Sequence, residues 1–125
     1  MQPSVRKRPV VLLVEDEFVV RIGTRAAVET AGFDVLEAGD ADEAIAILAA
    51  RNDIHLIFTD IHMPDSMDGL KLAHFVRDRW PPVKIVATSA RVLITDSDLP
   101  EGGRFLPKPY SAAEITATLR ELIQG

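Results

Sequence analysis

The chain has 125 residues, of which 47% are apolar and 26% charged, as in one soluble globular domain with a sizeable core. The net charge of −5 argues against nucleic acid as a main partner, and the absence of cysteine excludes disulfides and thiol chemistry. The most apolar run, residues 10–14, is too short to cross a bilayer and no signal-peptide cleavage site follows it. We therefore expect a cytoplasmic protein with no membrane partner.

Residues 1–8 include the basic run RKR and are predicted to form a flexible, solvated tail in front of a single domain at residues 9–125. Within this domain, short apolar runs alternate with segments of helical periodicity. We predict strands at residues 10–14, 33–37, 55–59, 83–88 and 104–107.

Helices are expected to follow the first two strands. The first covers residues 18–31 and ends at Gly32, which can adopt the left-handed conformation of a C-terminal stop. The second has Asp40 as its N-cap, with Glu43 placed to complete a capping box. In the first helix, the apolar residues at helical spacing are Val19, Ile22, Ala26 and Ala27.

Two further helices are predicted in the second half of the chain. One covers residues 70–79 and cannot continue into the two prolines at 81–82. The last begins with a capping box of Ser111 and Glu114 and runs nearly to the end of the chain, so we expect no second domain after it. Their inward-facing stripes are Leu72, Ala73 and Val76, and then Ile115, Leu119, Leu122 and Ile123.

The alternation of strands and helices predicts an α/β protein with a parallel sheet covered on both faces. Right-handed crossovers leave few topologies, and we expect a doubly wound, flavodoxin-like (βα)5 fold with strand order 2-1-3-4-5. Residues 90–103 fit this pattern poorly because Pro100 and two glycines interrupt it. We expect a short or distorted fourth helix there.

Polar side chains follow four of the predicted strands, at the edge where an open α/β sheet binds its ligand. The first strand delivers Glu15 and Asp16, the third Asp60, and the fifth Lys108, whereas the end of the second has no such group. The repulsion among three neighbouring carboxylates calls for a cation, and Mg²⁺ prefers such oxygen ligands. The site therefore suits phosphoryl transfer, with Asp60 as a nucleophile that forms an aspartyl phosphate. The fourth strand adds the hydroxyls of Thr88 and Ser89.

Four motifs at these strand ends, VLLVEDE, TDIHMP with MDG, ATSA, and PKPY, resemble those of a known family. From Pro9 onwards the chain resembles the receiver domain of two-component response regulators, in the stand-alone form. The resemblance implies that Asp60 takes a phosphoryl group from a sensor histidine kinase or a histidine phosphotransfer protein. It also implies a downstream protein partner, no direct contact with nucleic acid, and Mg²⁺ (or Mn²⁺) as cofactor. The implied metal ligands are Glu15, through water, Asp16, Asp60 and the backbone carbonyl of His62.

The same resemblance assigns roles to other residues. Ser89 would bond a phosphoryl oxygen and move inward on phosphorylation, and Phe105 would be the aromatic residue whose rotamer follows it. Lys108 would pair with another phosphoryl oxygen, and the peptide bond before Pro109 would be cis. Thr88 stays open as the alternative hydroxyl. The side chains implied to tune the lifetime of the phosphate are His62 and Arg91.

The sequence departs from the family pattern in two places. The loop at residues 64–69 is one residue longer than usual, so a bulge is expected there, and the segment between Ser89 and Lys108 is shorter. The shorter segment belongs to the usual dimerisation face of the family, which argues against dimerisation in the common mode.

Alternative functions are a receiver-like module that binds partners without phosphorylation and a phosphatase of the haloacid dehalogenase type. The phosphatase requires a second aspartate two residues after the nucleophile, where this chain has His62. A calcium-binding EF-hand is excluded because Lys71 occupies the position of its final glutamate. We expect autocatalytic phosphorylation and dephosphorylation only, and do not class the protein as an enzyme.

Overall fold

The computed structural model describes residues 8–64, 67–91 and 93–124. Its strands are β1 Val10–Val14, β2 Asp34–Ala38, β3 Ile54–Asp60, β4 Lys84–Ser89 and β5 Arg104–Pro107. The α-helices of the described residues are α1 Phe18–Thr30, α2 Ala41–Ala50, α3 Gly69–Arg79 and α4 Ala112–Ile123.

The five strands form one parallel sheet of order β2-β1-β3-β4-β5, which confirms the predicted fold. Successive residues of each central strand face opposite sides, so the sheet separates two apolar cores. Leu12 and Ile57 are fully buried in one core, whereas Val11 and Phe58 are buried in the other. This burial on both faces explains why the strands are continuously apolar.

The predicted helix termini are largely confirmed. Gly32 has φ 109° after α1, Asp40 accepts a hydrogen bond from the backbone of Glu43, and Ser111 forms a capping box with Glu114. The predicted capping box at Asp40 is wrong in its second half, because the Glu43 carboxylate accepts from the N–H of Gly39 instead of that of Asp40. The start of α3 was missed by one residue, because Asp68 caps this helix and Gly69 is its first residue.

The apolar stripe of α1 does not coincide with its buried face. Val19 is 78% and Ile22 53% exposed, whereas the buried residues of α1 are Thr24 and Val28. The stripes of α3 and α4 do face inwards, with Leu72, Ala73, Val76, Ile115 and Leu119 all buried. Helical spacing thus identified α1 correctly but not the side that packs.

Between β4 and β5, the helical structure of the described residues is one short 3-10 turn, Asp96–Asp98. This agrees with the short or distorted helix predicted for residues 90–103. Side chains hold this segment in place. The Asp96 carboxylate accepts a hydrogen bond of 2.8 Å from the backbone N–H of Phe105, and Arg77 donates one of 2.6 Å to the carbonyl of Glu101.

At the N-terminal end, Arg8 is bound to the domain, since its guanidinium donates to the carbonyls of Glu29 and Phe33 at 2.7 and 3.0 Å. Residues 1–7 of the predicted tail lie outside the described residues, as do Asp65 and Ser66 of the predicted loop bulge. Among the described helices, each is too short or too polar to cross a membrane.

Candidate functional site

Three carboxylates converge at the carboxyl edge of the sheet, as predicted. One carboxylate oxygen from each of Glu15, Asp16 and Asp60 lies within 4.8 Å of the other two. Glu15 and Asp60 are buried, whereas Asp16 is exposed. The convergence follows from the strand order, because β1 and β3 are neighbours and end at the same edge.

Lys108 brings a positive charge to these carboxylates from the end of β5. Its Nζ lies 2.8 Å from Oε1 of Glu15 and 3.3 Å from Oδ2 of Asp60. Its backbone N–H donates to the carbonyl of Ser89 at 3.0 Å, which ties the end of β5 to the end of β4. The peptide bond to Pro109 is cis, as the resemblance implied.

Backbone N–H groups orient the two buried carboxylates. The N–H of Glu17 donates to Oε2 of Glu15 at 3.1 Å, and the N–H of His62 donates to Oδ1 of Asp60 at 3.3 Å. Each buried carboxylate therefore has one oxygen bonded to the backbone and the other facing Lys108.

Burial and pairing act in opposite directions on the two partners of the closest ion pair. Burial raises the pKa of Glu15 above its ordinary value, although the hydrogen bonds from Lys108 and Glu17 partly offset it. Burial alone would lower the pKa of Lys108, but the hydrogen bond to Glu15 and the charge of Asp60 outweigh it and raise this pKa. The ammonium group is thus held charged between the two carboxylates.

Gly69 is a residue of the site that sequence reasoning missed. Its N–H donates to the carbonyl of Ile61 at 2.8 Å, and a Cβ at this position would lie 2.1 Å from the carbonyl oxygen of Asp60. The start of α3 therefore packs directly on the backbone of Asp60 in a way that only glycine allows. The glycine in the MDG motif was the available signal.

The two candidate hydroxyls are both buried at the end of β4. Thr88 is paired with Asp60 in the ladder between β3 and β4, and its carbonyl accepts a hydrogen bond of 2.8 Å from the N–H of Ile61. Ser89 lies one residue closer to the edge, where its Oγ accepts a hydrogen bond of 3.0 Å from the N–H of Arg91.

A cleft opens above the carboxylates, and both residues implied to tune phosphate lifetime, His62 and Arg91, line it. Phe105 does not line this cleft. It is half-buried on β5 and packs against the core that contains Leu12 and Ile57.

Large apolar side chains are exposed at the start of α1, the helix that follows Glu15 and Asp16 in the chain. Phe18, Val19 and Ile22, in the first turns of this helix, are 63%, 78% and 53% exposed. Beside them, a groove between α1 and α4 includes Tyr110, whose hydroxyl forms a hydrogen bond of 2.7 Å with Thr24. Exposed apolar surface of this kind is typical of sites that contact another protein.

The donor set fits a hard divalent cation. Carboxylate oxygens at these separations match the ligands that Mg²⁺ prefers, and the exposed Asp16 leaves room for the waters that this ion retains. The sequence has no cysteine, so the thiolate ligands that favour softer metals are absent.

The fold and this cluster of acids with a lysine agree with the comparisons to known proteins. The sequence pattern of the response regulator receiver domain matches residues 11–120. The chain therefore belongs to the family of response regulator receiver domains, which are signalling modules of two-component systems.

Two curated relatives illustrate the range of proteins that contain such a domain. The chain is 33% identical to the aerobic respiration control protein ArcA of Escherichia coli K12, over 92% of this chain and 48% of ArcA. It is 34% identical to the sensor kinase CckA of Brucella abortus, over 91% of this chain and 12% of that kinase. The chain thus spans half or less of the length of these relatives.

Solved structures of receiver domains have the same fold. A response regulator receiver protein from Sinorhizobium medicae superposes with a TM-score of 0.87 at 24% identity, over 94% of this chain and 96% of that one. At this identity, the likeness supports the fold alone.

We predict that Gly69→Ala lowers the free energy of unfolding by about 1–3 kcal/mol, because the new methyl group overlaps the backbone of Asp60. Gly23→Ala is the matched control, since it lies within α1 with no atom within 4 Å of an added Cβ. The control should stabilise the protein by about 0.5–1 kcal/mol. Urea unfolding measures both changes, and equal effects in the two variants would contradict the packing argument.

We predict that Lys108→Met raises the pKa of Glu15 further in the metal-free protein, because the lysine favours the charged carboxylate. The raised pKa means that protonation of Glu15 favours the folded state. The stability that the protonated Glu15 contributes is fully present below pH 4.5, the ordinary pKa of a glutamate. It is lost as the pH rises through the pKa of Glu15 in the folded protein.

A carboxyl ¹³C NMR titration measures the pKa of Glu15 in both proteins. Lys84→Met is the matched control, because Lys84 is exposed at the opposite end of β4. An unchanged or lowered pKa of Glu15 in Lys108→Met would show that the ion pair does not control this group.

Proposed function

We propose that the protein is a phosphorylation switch in which Asp60 accepts a phosphoryl group from a phosphohistidine. The donor is a sensor histidine kinase or a histidine phosphotransfer protein. The observation that carries this proposal is the position of the Asp60 carboxylate, which is buried at a strand end with one oxygen 3.3 Å from the ammonium of Lys108. A carboxylate in this environment is both oriented and accessible from the cleft.

In the proposed reaction, an oxygen of Asp60 attacks phosphorus while the bond from phosphorus to the histidine nitrogen breaks. Lys108 neutralises one phosphoryl oxygen, and the N–H of His62 keeps the acceptor carboxylate oriented. Mg²⁺ would be held by Asp16, Asp60, the backbone carbonyl of His62 and, through water, Glu15. When bound, it would neutralise charge on the carboxylates and the phosphoryl oxygens.

The switch response is proposed to start at Ser89. Its Oγ accepts a hydrogen bond from the N–H of Arg91 in this structure, and its O–H would donate to a phosphoryl oxygen in the phosphorylated protein. We propose that movement of Ser89 reaches Phe105 through the pairing of β4 with β5, in which Ser89 is opposite Pro107 and Phe105 is opposite Ala87. The positions of His62 and Arg91 on the cleft support their proposed effect on phosphate lifetime.

The surroundings of the cleft favour a protein as the natural phosphodonor. The exposed Phe18, Val19 and Ile22 begin two residues after Asp16 and give a donor protein apolar surface to cover. We propose that the output also goes through protein contacts, as a relay of phosphate, as feedback on a kinase, or by docking on a target. The net charge of −5 makes direct binding to nucleic acid unfavourable.

We predict that incubation with acetyl phosphate and Mg²⁺ adds one phosphoryl group to the protein, as measured by intact-protein mass spectrometry. Asp60→Asn should abolish the gain because the amide is a poor nucleophile. Asp53→Asn is the matched control, since Asp53 is exposed at the opposite end of β3 and pairs with Arg51.

The outcomes of this experiment separate the alternatives. A gain of mass in Asp60→Asn would place the acceptor elsewhere. No gain in the wild type, with or without Mg²⁺, would favour a module that binds its partners independently of phosphorylation.

We predict that Ser89→Ala slows phosphorylation by acetyl phosphate about tenfold or more, because a hydrogen bond to a charged phosphoryl group is lost. Thr88→Val, which removes the neighbouring buried hydroxyl, should change the rate less than about threefold. A time course of the mass gain gives both rates. The reverse pattern would assign the role to Thr88.

A further inference from the structure

The backbone of Glu15 is bonded on both sides at the point where β1 delivers its acids to the site. Its N–H donates to the carbonyl of Ala38 at 3.1 Å, and its carbonyl accepts a hydrogen bond of 3.0 Å from Nη1 of Arg21. Arg21 lies one turn into α1, and the polar contacts of its side chain among the described residues are with the Glu15 carbonyl and the Glu37 carboxylate rather than with the three carboxylates of the site. It reaches the peptide group that joins Glu15 to Asp16.

The end of β2 positions Arg21. Nε of Arg21 lies 3.1 Å from Oε1 of Glu37, and the pair is largely buried, with side-chain exposures of 21% and 30%. A Cβ on Gly39 would lie 3.3 Å from Nη1 of Arg21, so this glycine leaves the space that the guanidinium occupies. Glu37 and Gly39 therefore form a seat for Arg21 at the end of β2.

We propose that Arg21, seated by Glu37, is a positioning residue that sets the orientation of the Glu15-Asp16 ligand pair and thereby the affinity of the site for Mg²⁺. This inference rests on the proposed function of the same site. Arg21 acts on the backbone that carries both acids, and residues one shell removed from a metal commonly have large effects on its affinity.

Two effects of Arg21 on a bound cation oppose each other. Its positive charge repels the cation, while its hydrogen bond holds the ligands in place. Glu37 lies 3.1 Å from Arg21 and offsets part of its charge, although it also pairs with Arg25. The repulsion is therefore reduced, and we expect the positioning effect to be the larger of the two. Removal of Arg21 should therefore weaken Mg²⁺ binding if positioning is the larger effect, and strengthen it if charge repulsion is.

Arg25 provides a matched control on the same helix. It also pairs with Glu37, and with Glu29 at 3.4 Å, but no hydrogen bond of Arg25 reaches the backbone of Glu15 among the described contacts. Arg21→Gln and Arg25→Gln remove the same charge near the same glutamate. They differ in the bond to Glu15.

The experiment is a calorimetric titration of the metal-free proteins with Mg²⁺, without any phosphodonor. We expect Arg21→Gln to raise the dissociation constant about tenfold or more. Arg25→Gln should stay within about twofold of the wild type. Equal affinities of Arg21→Gln and the wild type, or tighter binding by Arg21→Gln, would overturn the proposal.

Glu37→Gln provides a second test of the same proposal in case Arg21→Gln does not fold. Glu37→Gln leaves Arg21 in place but removes its partner and exposes its charge to the cation, so it should also weaken Mg²⁺ binding. An unchanged affinity in Glu37→Gln would contradict the role of the seat. Urea unfolding of the metal-free variants separates a general loss of stability from an effect on the ligands.

Phosphorylation by acetyl phosphate gives a readout that a merely structural role would not produce. In Arg21→Gln the Mg²⁺ concentration for half-maximal rate should rise, while the rate at saturating Mg²⁺ should stay near that of the wild type. A wild type that binds Mg²⁺ but is not phosphorylated would refute the proposed function and leave this inference standing. A wild type that binds no Mg²⁺ would refute the inference.

Discussion

The site depends on the ion pair that Lys108 makes with two buried carboxylates. Glu15 and Asp60 lie at the ends of neighbouring strands, and their carboxylates are both buried. Without a cation between them, their like charges would repel each other strongly. The ammonium group lies within 3.3 Å of both. Because removal of one partner leaves a buried charge uncompensated, the lysine and the acids form a single unit.

The strand order determines which side chains can form this unit. β1 and β3 are adjacent at the centre of the sheet, so short carboxylates at their ends already meet. β5 is separated from β3 by β4, and a residue at its end must reach across a strand. Lysine has the length to do this, and its aliphatic stem tolerates partial burial while the ammonium reaches Glu15.

The sequence was sufficient to predict the sheet and the acids at its edge, because strand identity and the rule for parallel sheets place those residues without knowledge of side-chain packing. It was not sufficient for Gly69 or Arg21. Their roles are contacts between elements, with the backbone of Asp60 and of Glu15 respectively. The MDG motif marks Gly69 as a conspicuous residue, but neither the motif nor helical periodicity specifies which backbone these two residues contact. The exposed stripe of α1 has the same cause, since packing against α4 selects the face that contains Val28.

The segment between β4 and β5 differs in kind from the rest of the fold. It is held by the buried side chain of Leu99 and by single hydrogen bonds, such as those of Asp96 to the backbone of Phe105 and of Arg77 to the carbonyl of Glu101, rather than by the packed face of a helix. Each such bond contributes about 0.5–1.5 kcal/mol, so the segment can rearrange at a lower cost than unpacking a helix would require. The proposed switch from Ser89 on β4 to Phe105 on β5 would therefore act through a change in these bonds and not through the movement of a rigid helix.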